Sequence, residues 1–181
     1  MQRNRSIEST QGNVIIRLGE ASDAPGYRDL RLEALREHPT AFGSDYETYR
    51  AKPMAHWVER LCFEKPGDGV VLYFAVAGET LIGMCGISHT AAPKGRHSSY
   101  LVSMYVRPGW RGQRIAEQLI EACLGWARDY GITIVKLGVA VTNTPAIRCY
   151  ARCGFQVYGI EPQAICHDGT FYDELLMARA P

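Results

Sequence analysis

Val106-Arg-Pro-Gly-Trp-Arg-Gly-Gln-Arg-Ile-Ala116 ends an apolar strand in a glycine-containing basic turn and opens directly into an amphipathic helix. A turn of this kind is an anion site. The first backbone N–H groups of the helix have no intrahelical partners, and the helix dipole adds about half a positive charge at that end, so a phosphate is the natural ligand. Arg111 and Arg114 add full charges, and Gly112 supplies a permissive backbone position. In the first turn of a right-handed helix φ is negative, so Arg114 is expected to meet only a steric restriction there. The stretch matches neither a P-loop nor the glycine fingerprint of a dinucleotide fold. Taken alone, it also reads as a plain basic helix start.

Working outward, Ile115, Ala116, Leu119, Ile120, Cys123, Leu124, Ala127 and Tyr130 follow the helical period, with Glu117, Gln118, Glu121, Arg128 and Asp129 opposite and Gly131 at the end. Ile132 to Val141 predicts a buried strand parallel to the first, reached by a right-handed crossover. Thr144-Pro145 starts a last helix, Ala146 to Cys153, and Gly154 closes it. Phe155 to Tyr158 and Tyr172 to Ala178 finish the sheet around a loop containing His167-Asp-Gly169. Upstream, Val14 to Arg17 reads as a strand, and Asp23 as the N-cap of a helix over Ala24 to Arg36. A polar and aromatic stretch, His38 to Lys52, leads to a short helix at about Pro53 to Phe63 and a turn at Pro66-Gly-Asp-Gly69. Val70 to Ala77 and Leu81 to Ser88 form a hairpin about Gly78-Glu79, and Ser99 to Val106 is the strand that feeds the basic turn.

The 181 residues, 46% hydrophobic with net charge +1, suit one compact domain over residues 13–181. Near-neutral charge leaves no electrostatic footprint for nucleic acid, and no apolar run is long enough for a membrane helix. Residues 1–12 are polar and basic without the apolar core of a secretory signal and are expected to fray, so the chain is expected in the cytoplasm. The cysteines at 62, 85, 123, 149, 153 and 166 form no CxxC pair and read as reduced, mostly buried thiols; Cys149 and Cys153 make a poor metal site, and no metal is expected.

A second constellation is Asn143-Thr-Pro-Ala-Ile-Arg-Cys-Tyr150-Ala-Arg-Cys-Gly-Phe155. Ala146, Ile147, Tyr150 and Ala151 share one side of a short helix, with Arg148 and Arg152 opposite. On that stripe a tyrosine is ordinarily core packing with its hydroxyl on a backbone carbonyl, and Asn143 is ordinarily a helix cap. Together with Arg111-Gly-Gln-Arg-Ile-Ala116, however, the segment resembles the acyl-CoA signature of the GNAT acetyltransferase superfamily, over roughly Ser99 to Ala178. One position departs: Arg114 stands where the family has a glycine. The resemblance implies an α/β (α+β) domain with a mixed twisted sheet of six to seven strands, splayed at its centre and flanked by about four helices.

The resemblance further implies an enzyme that moves an acetyl group from acetyl-CoA to a primary amine, either a small molecule or a peptide N-terminus, by direct attack in a ternary complex. The pyrophosphate would sit on Arg111, Gly112, Gln113, Arg114, Ile115 and Ala116, and the pantetheine would pair like a strand with Met104, Tyr105 and Val106. Asn143 and Ala146 would contact the CoA chain, a backbone N–H near Tyr105 would meet the developing oxyanion, and Tyr150 would protonate the departing thiolate. Family members often pair as homodimers.

Tyr100 stands where some family members carry a general base, leaving His89, Glu33 and Asp173 as candidates by residue type. Without a base, a lysine-like amine is handicapped by about 4 kcal/mol at pH 7 and an α-amine near pKa 8 by only about 1 to 2, which favours the latter. Acceptor selection is expected from Phe42, Asp45, Tyr46, Glu47, Tyr49 and Trp57, and from His167, Asp168, Phe171, Tyr172 and Asp173. Two other readings stay open: a non-catalytic acyl-CoA sensor or scaffold, and a basic turn serving another phosphate ligand.

Overall fold

A computed structural model of the chain describes residues 5–61 and 69–181, so Cys62 and most of the Pro66–Gly69 turn lie outside the described residues. The strands are β1 (Arg5–Ser9), β2 (Gly12–Leu18), β3 (Gly69–Ala77), β4 (Thr80–His89), β5 (Ser98–Val106), β6 (Ile134–Ala140), β7 (Gln156–His167) and β8 (Thr170–Arg179). They form one eight-stranded sheet in the order β1-β2-β3-β4-β5-β6-β8-β7. The helices are α1 (Ala24–Glu37), α2 (Tyr46–Arg50), α3 (Met54–Glu59), α4 (Ile115–Asp129) and α5 (Thr144–Arg152).

Strand β3 shows how the sheet carries two layers. With side chains alternating along it, Val71, Tyr73 and Ala75 face one core and Leu72, Phe74 and Val76 the other. The first core is sealed by α4, whose Ile115, Leu119, Ile120, Cys123 and Leu124 are buried as the helical period requires. The second is sealed by α1 and α3 through Tyr27, Leu30 and Trp57, with the Tyr27 and Trp57 rings edge-on at 5.2 Å. Burying each such side chain contributes about 1.5 to 3 kcal/mol.

All strand pairs are antiparallel except β5 with β6, the pair joined by the α4 crossover. That pairing spans only Ser98–Tyr100 against Ile134–Lys136. Beyond Tyr100 the strands diverge, while a bulge at Ser103, with φ 57°, bends β5 within its pairing to β4. The outcome is a wedge-shaped gap in the middle of the sheet, with unpaired backbone on the β6-facing side of β5.

Within the segment 1–12, β1 pairs antiparallel with β2, Ile7 opposite Val14, and Ile7 packs on the first core. This is the eighth strand, invisible in the sequence because a single apolar residue sets no alternation. The stretch His38 to Lys52 contains α2, begun by Asp45, whose carboxylate accepts from the Thr48 N–H at 2.8 Å. Asp23 does not cap α1. Its carboxylate takes the Arg17 guanidinium at 2.6 and 2.7 Å and the Glu20 N–H, closing the short turn that precedes the helix. Strand β7 runs much further than Tyr158, because its exposed residues, Pro162 and a bulge at Gln163 hide the alternation. The expected loop at His167 is a tight hairpin turn with Asp168 and Gly169 both at positive φ.

Candidate active site at the strand splay

After β5 the chain makes a short helical turn, Pro108–Trp110, passes Arg111, and enters α4 at Ile115. Two residues on the way take left-handed conformations: Gly112 at φ 79° and Arg114 at φ 59°, ψ 19°. Arg114 is therefore the N-cap and not a first-turn residue, so the expectation of a negative φ fails. A non-glycine residue there costs about 1 kcal/mol or more in backbone strain. The same turn aims the free amides at the start of α4 into a cavity of about 540 Å³. Arg111 is held at its rim by an Nε–H donated to the Val106 carbonyl at 2.8 Å, with Nη2 3.0 Å from His38 Nε2 and the guanidinium 5.6 Å over the Tyr105 ring.

Arg111, Gly112, Arg114, Ile115 and Ala116 line this cavity from the turn, Met104, Tyr105 and Val106 from β5, and Asn143, Ala146 and Tyr150 from α5. Gln113 alone of the expected CoA contacts does not. Its Oε1 accepts from the N–H and hydroxyl of Thr10, while Gln11 donates to the Gly109 carbonyl, so the β1–β2 turn is tied to the basic turn.

Asn143 caps α5 as its residue type suggests, accepting from the Ala146 N–H at 3.3 Å, and Pro145 follows in the first turn. The cap sets the inward stripe, placing Tyr150 at 7% exposure with its ring edge-on to Phe155 at 6.0 Å. Its hydroxyl makes no hydrogen bond among the described residues, against the ordinary expectation that a backbone carbonyl would take it. Burial, helped by the nearby thiols and Glu174, pushes its pKa well up, so the proton stays on the oxygen.

A second cavity, of about 410 Å³, fills the gap between β5 and β6. Met104, Asn143, Ala146 and Tyr150 line both cavities, which therefore meet at Tyr150. Phe42 and Tyr49 line the second cavity as anticipated, and Tyr100 joins them. Trp57 is instead core, Asp45 is a helix cap, and Glu47 pairs with Arg50 at 2.9 Å. Phe171 is exposed, and the His167-Asp168 turn contributes nothing to the lining.

None of the three carboxylate or imidazole candidates lines either cavity. Glu33 accepts from the Tyr105 hydroxyl and from Arg107 Nε, both at 3.0 Å, an arrangement that anchors β5 to α1. His89 lies 3.0 Å from the Arg96 carbonyl and packs on Trp126, and Asp173 accepts from the Gln163 N–H. The acid that does face the second cavity is Glu174 on β8, half-buried over Gly138. Burial first, then Glu161, raises its pKa above the usual carboxylate value. Two further residues missed in the sequence are Arg31 of α1 and Arg60, just beyond α3, both on the wall of the same cavity. No group of three metal-ligating side chains occurs among the described residues.

The model of the acetyltransferase (GNAT) family matches residues 29–155. The L-amino acid N-acetyltransferase AaaT of Escherichia coli is 25% identical over 171 residues, covering 92% of this chain and 97% of that protein. The L-methionine sulfoximine/L-methionine sulfone acetyltransferase of Pseudomonas aeruginosa is 25% identical over 162 residues, 90% of this chain and 91% of its own. Among solved structures, that of yncA from Salmonella typhimurium with its cofactor acetyl-CoA superposes with a TM-score of 0.75 at 19% identity, covering 93% of this chain and 94% of that one.

Proposed function

This chain belongs to the acetyltransferase (GNAT) family, and on that premise we propose that it transfers the acetyl group of acetyl-CoA to the amine of a small amino-acid-like acceptor by direct attack. The observation that carries this reading is the meeting of two cavities at Tyr150, one ringed by free helix amides and arginines and the other by Glu174. The first cavity suits CoA: amides at a helix start and Arg111 and Arg114 match a pyrophosphate, and the unpaired β6-facing edge of β5 at Met104 to Val106 offers the hydrogen bonds of a strand to an extended amide chain. The second, about 410 Å³, holds a small amine, and the two relatives described above, aligned over nearly their whole length, are named for acetylating amino acids or their analogues.

In this reading Glu174 accepts the proton of the attacking amine, and its raised pKa makes it a stronger base than an ordinary carboxylate. A β5 backbone N–H near Tyr105 donates to the carbonyl oxygen as negative charge grows there. Tyr150 donates a hydrogen bond from its hydroxyl to the leaving sulfur and passes that proton to the thiolate as the C–S bond breaks, and the proton that Glu174 took from the amine restores the phenol, so that no tyrosinate persists. With a thiol pKa near 8.5 the leaving group needs limited help, so this hydroxyl contributes about 10- to 1000-fold.

The test is release of CoA thiol from acetyl-CoA across a panel of amino acids, aliphatic amines and short peptides. Acetylation of at least one α-amine is expected. Tight CoA binding with no turnover across the panel would overturn the catalytic reading in favour of an acyl-CoA sensor.

A further inference from the structure

Arg31 sits on the inner face of α1, 5% exposed, yet lines the second cavity. Its guanidinium stacks 4.6 Å from the Phe42 ring centre and 5.5 Å from that of Tyr49, and its buried Nη1 has no hydrogen-bond partner. No carboxylate among the described residues forms an ion pair with it. The other inward-leaning arginines are treated differently: Arg17 is paired with Asp23 at 2.6 Å and Arg107 with Glu33 at 3.0 Å. Arg60 shares the cavity wall and adds a second positive charge, its Nε donating to the Tyr27 hydroxyl at 3.0 Å.

A buried unpaired charge carries a desolvation penalty of several kcal/mol, of which stacking on two aromatic faces recovers only about 1 to 2. Burial lowers the Arg31 pKa, but from so high a starting value that the group stays cationic. A buried cation on a cavity wall, with no carboxylate partner among the described residues, is matched by an anion that arrives with the ligand. CoA does not supply it, since Arg31 is absent from the lining of the first cavity. Glu174 is the one acid in the described lining of the second cavity, so that cavity carries both arginines and a carboxylate on its wall, together with Tyr150.

We propose that the acceptor is a free amino acid whose α-carboxylate pairs with Arg31 while its amine lies toward Glu174 and Tyr150. The inference rests on the assignment of this cavity to the acceptor. It separates free amino acids from peptide N-termini, which present an amide where the carboxylate should be. The pairing also assists the chemistry, because a free carboxylate holds the neighbouring ammonium proton in place and a guanidinium cancels that field. The fork geometry of arginine suits a carboxylate in a way that lysine does not reproduce.

The experiment compares a neutral L-amino acid, its carboxamide and the corresponding decarboxylated amine as acceptors for the wild type, Arg31→Met and Arg31→Lys. A charge-assisted hydrogen-bond pair predicts a preference in kcat/KM of about 100-fold for the acid over the amide in the wild type. In Arg31→Met, which keeps an unbranched side chain in the same space and removes the guanidinium, that preference narrows to within about 3-fold with KM for acetyl-CoA unchanged; Arg31→Lys falls between. Equal use of acid and amide by the wild type, or an undiminished preference in Arg31→Met, overturns the proposal while leaving the acetyltransferase reading intact. Turnover of no acceptor at all is the failure of that reading instead. In that event, or if the variants do not fold, thermal shift of the wild-type CoA complex by the acid and by the amide decides: a shift by the acid alone supports the carboxylate anchor, and equal shifts refute it.

Discussion

The Glu174 carboxylate occupies the space that a side chain on Gly138 would fill: a Cβ built on Gly138 overlaps it. The two residues are diagonal neighbours on adjacent strands, Gly138 pairing with Leu176 and Glu174 with Ala140. Gly138 is thus a matter of room and not of backbone freedom, and it lets an acid fold down toward the gap between β5 and β6. Gly138→Ala should push the carboxylate aside. Acceptor kcat/KM should fall about 10- to 100-fold, as expected when a general base is misplaced, while the Kd for acetyl-CoA changes less than about 2-fold. Titration calorimetry beside steady-state rates checks this, and an unchanged rate in a folded variant would remove Glu174 from the mechanism.

The raised pKa of Glu174 makes a separate prediction about stability. Its proton is held more tightly in the folded than in the unfolded chain, so its contribution is fully present below the ordinary value of 4.5 and is lost as pH rises through the raised folded value. Glu174→Gln removes the ionisation and keeps the shape. The variant should melt at the same temperature as the wild type near pH 4 and higher at pH 8, with the acid limb of the kcat/KM profile gone and the rate down about 100-fold. A wild-type melting advantage that grows with pH would contradict the assignment.

Arg114 stands in a left-handed conformation where the GNAT pattern has a glycine. Arg114→Gly should gain about 0.5 to 1 kcal/mol of stability by relieving that strain, whereas Arg114→Ala keeps the strain and should gain nothing. Both remove a charge from the cavity rim, so acetyl-CoA binding should weaken about 3- to 10-fold at low ionic strength and less at high salt. Tighter binding in the glycine variant would mean that the side chain obstructs the pyrophosphate.

What could be read from the chain was what lies close together along it. Arg111 to Ala116 and Asn143 to Phe155 each carry their pattern within about a dozen residues, and a helix turn or cap brings their parts together locally. Arg31, Gly138 and Glu174 belong to α1, β6 and β8, and only the sheet register and the α1 packing bring them to one cavity. No spacing in the sequence encodes that. Glu33 misled for the same reason: its residue type suits a base, but its partners Tyr105 and Arg107 lie more than seventy positions away. The left-handed Arg114 escaped because its neighbours were read as already helical.

Tyr150 offers the cleanest separation of structure from chemistry. An ordinary buried tyrosine hydroxyl is tied to a carbonyl, and removing it costs about 1 to 2 kcal/mol. Here the hydroxyl has no partner among the described residues and faces the point where two cavities meet, so Tyr150→Phe should leave melting unchanged to within about 0.5 kcal/mol. If its proton serves the leaving sulfur, kcat should fall about 10- to 1000-fold with KM for acetyl-CoA nearly constant, because the interaction matures only as the thioester breaks. An acetyl donor with a more acidic thiol leaving group should recover most of that loss, since a better leaving group needs less help. Steady-state kinetics with both donors reads the role directly: an equal loss with each would assign Tyr150 to positioning, and wild-type kcat in a folded variant would end its claim as the donor.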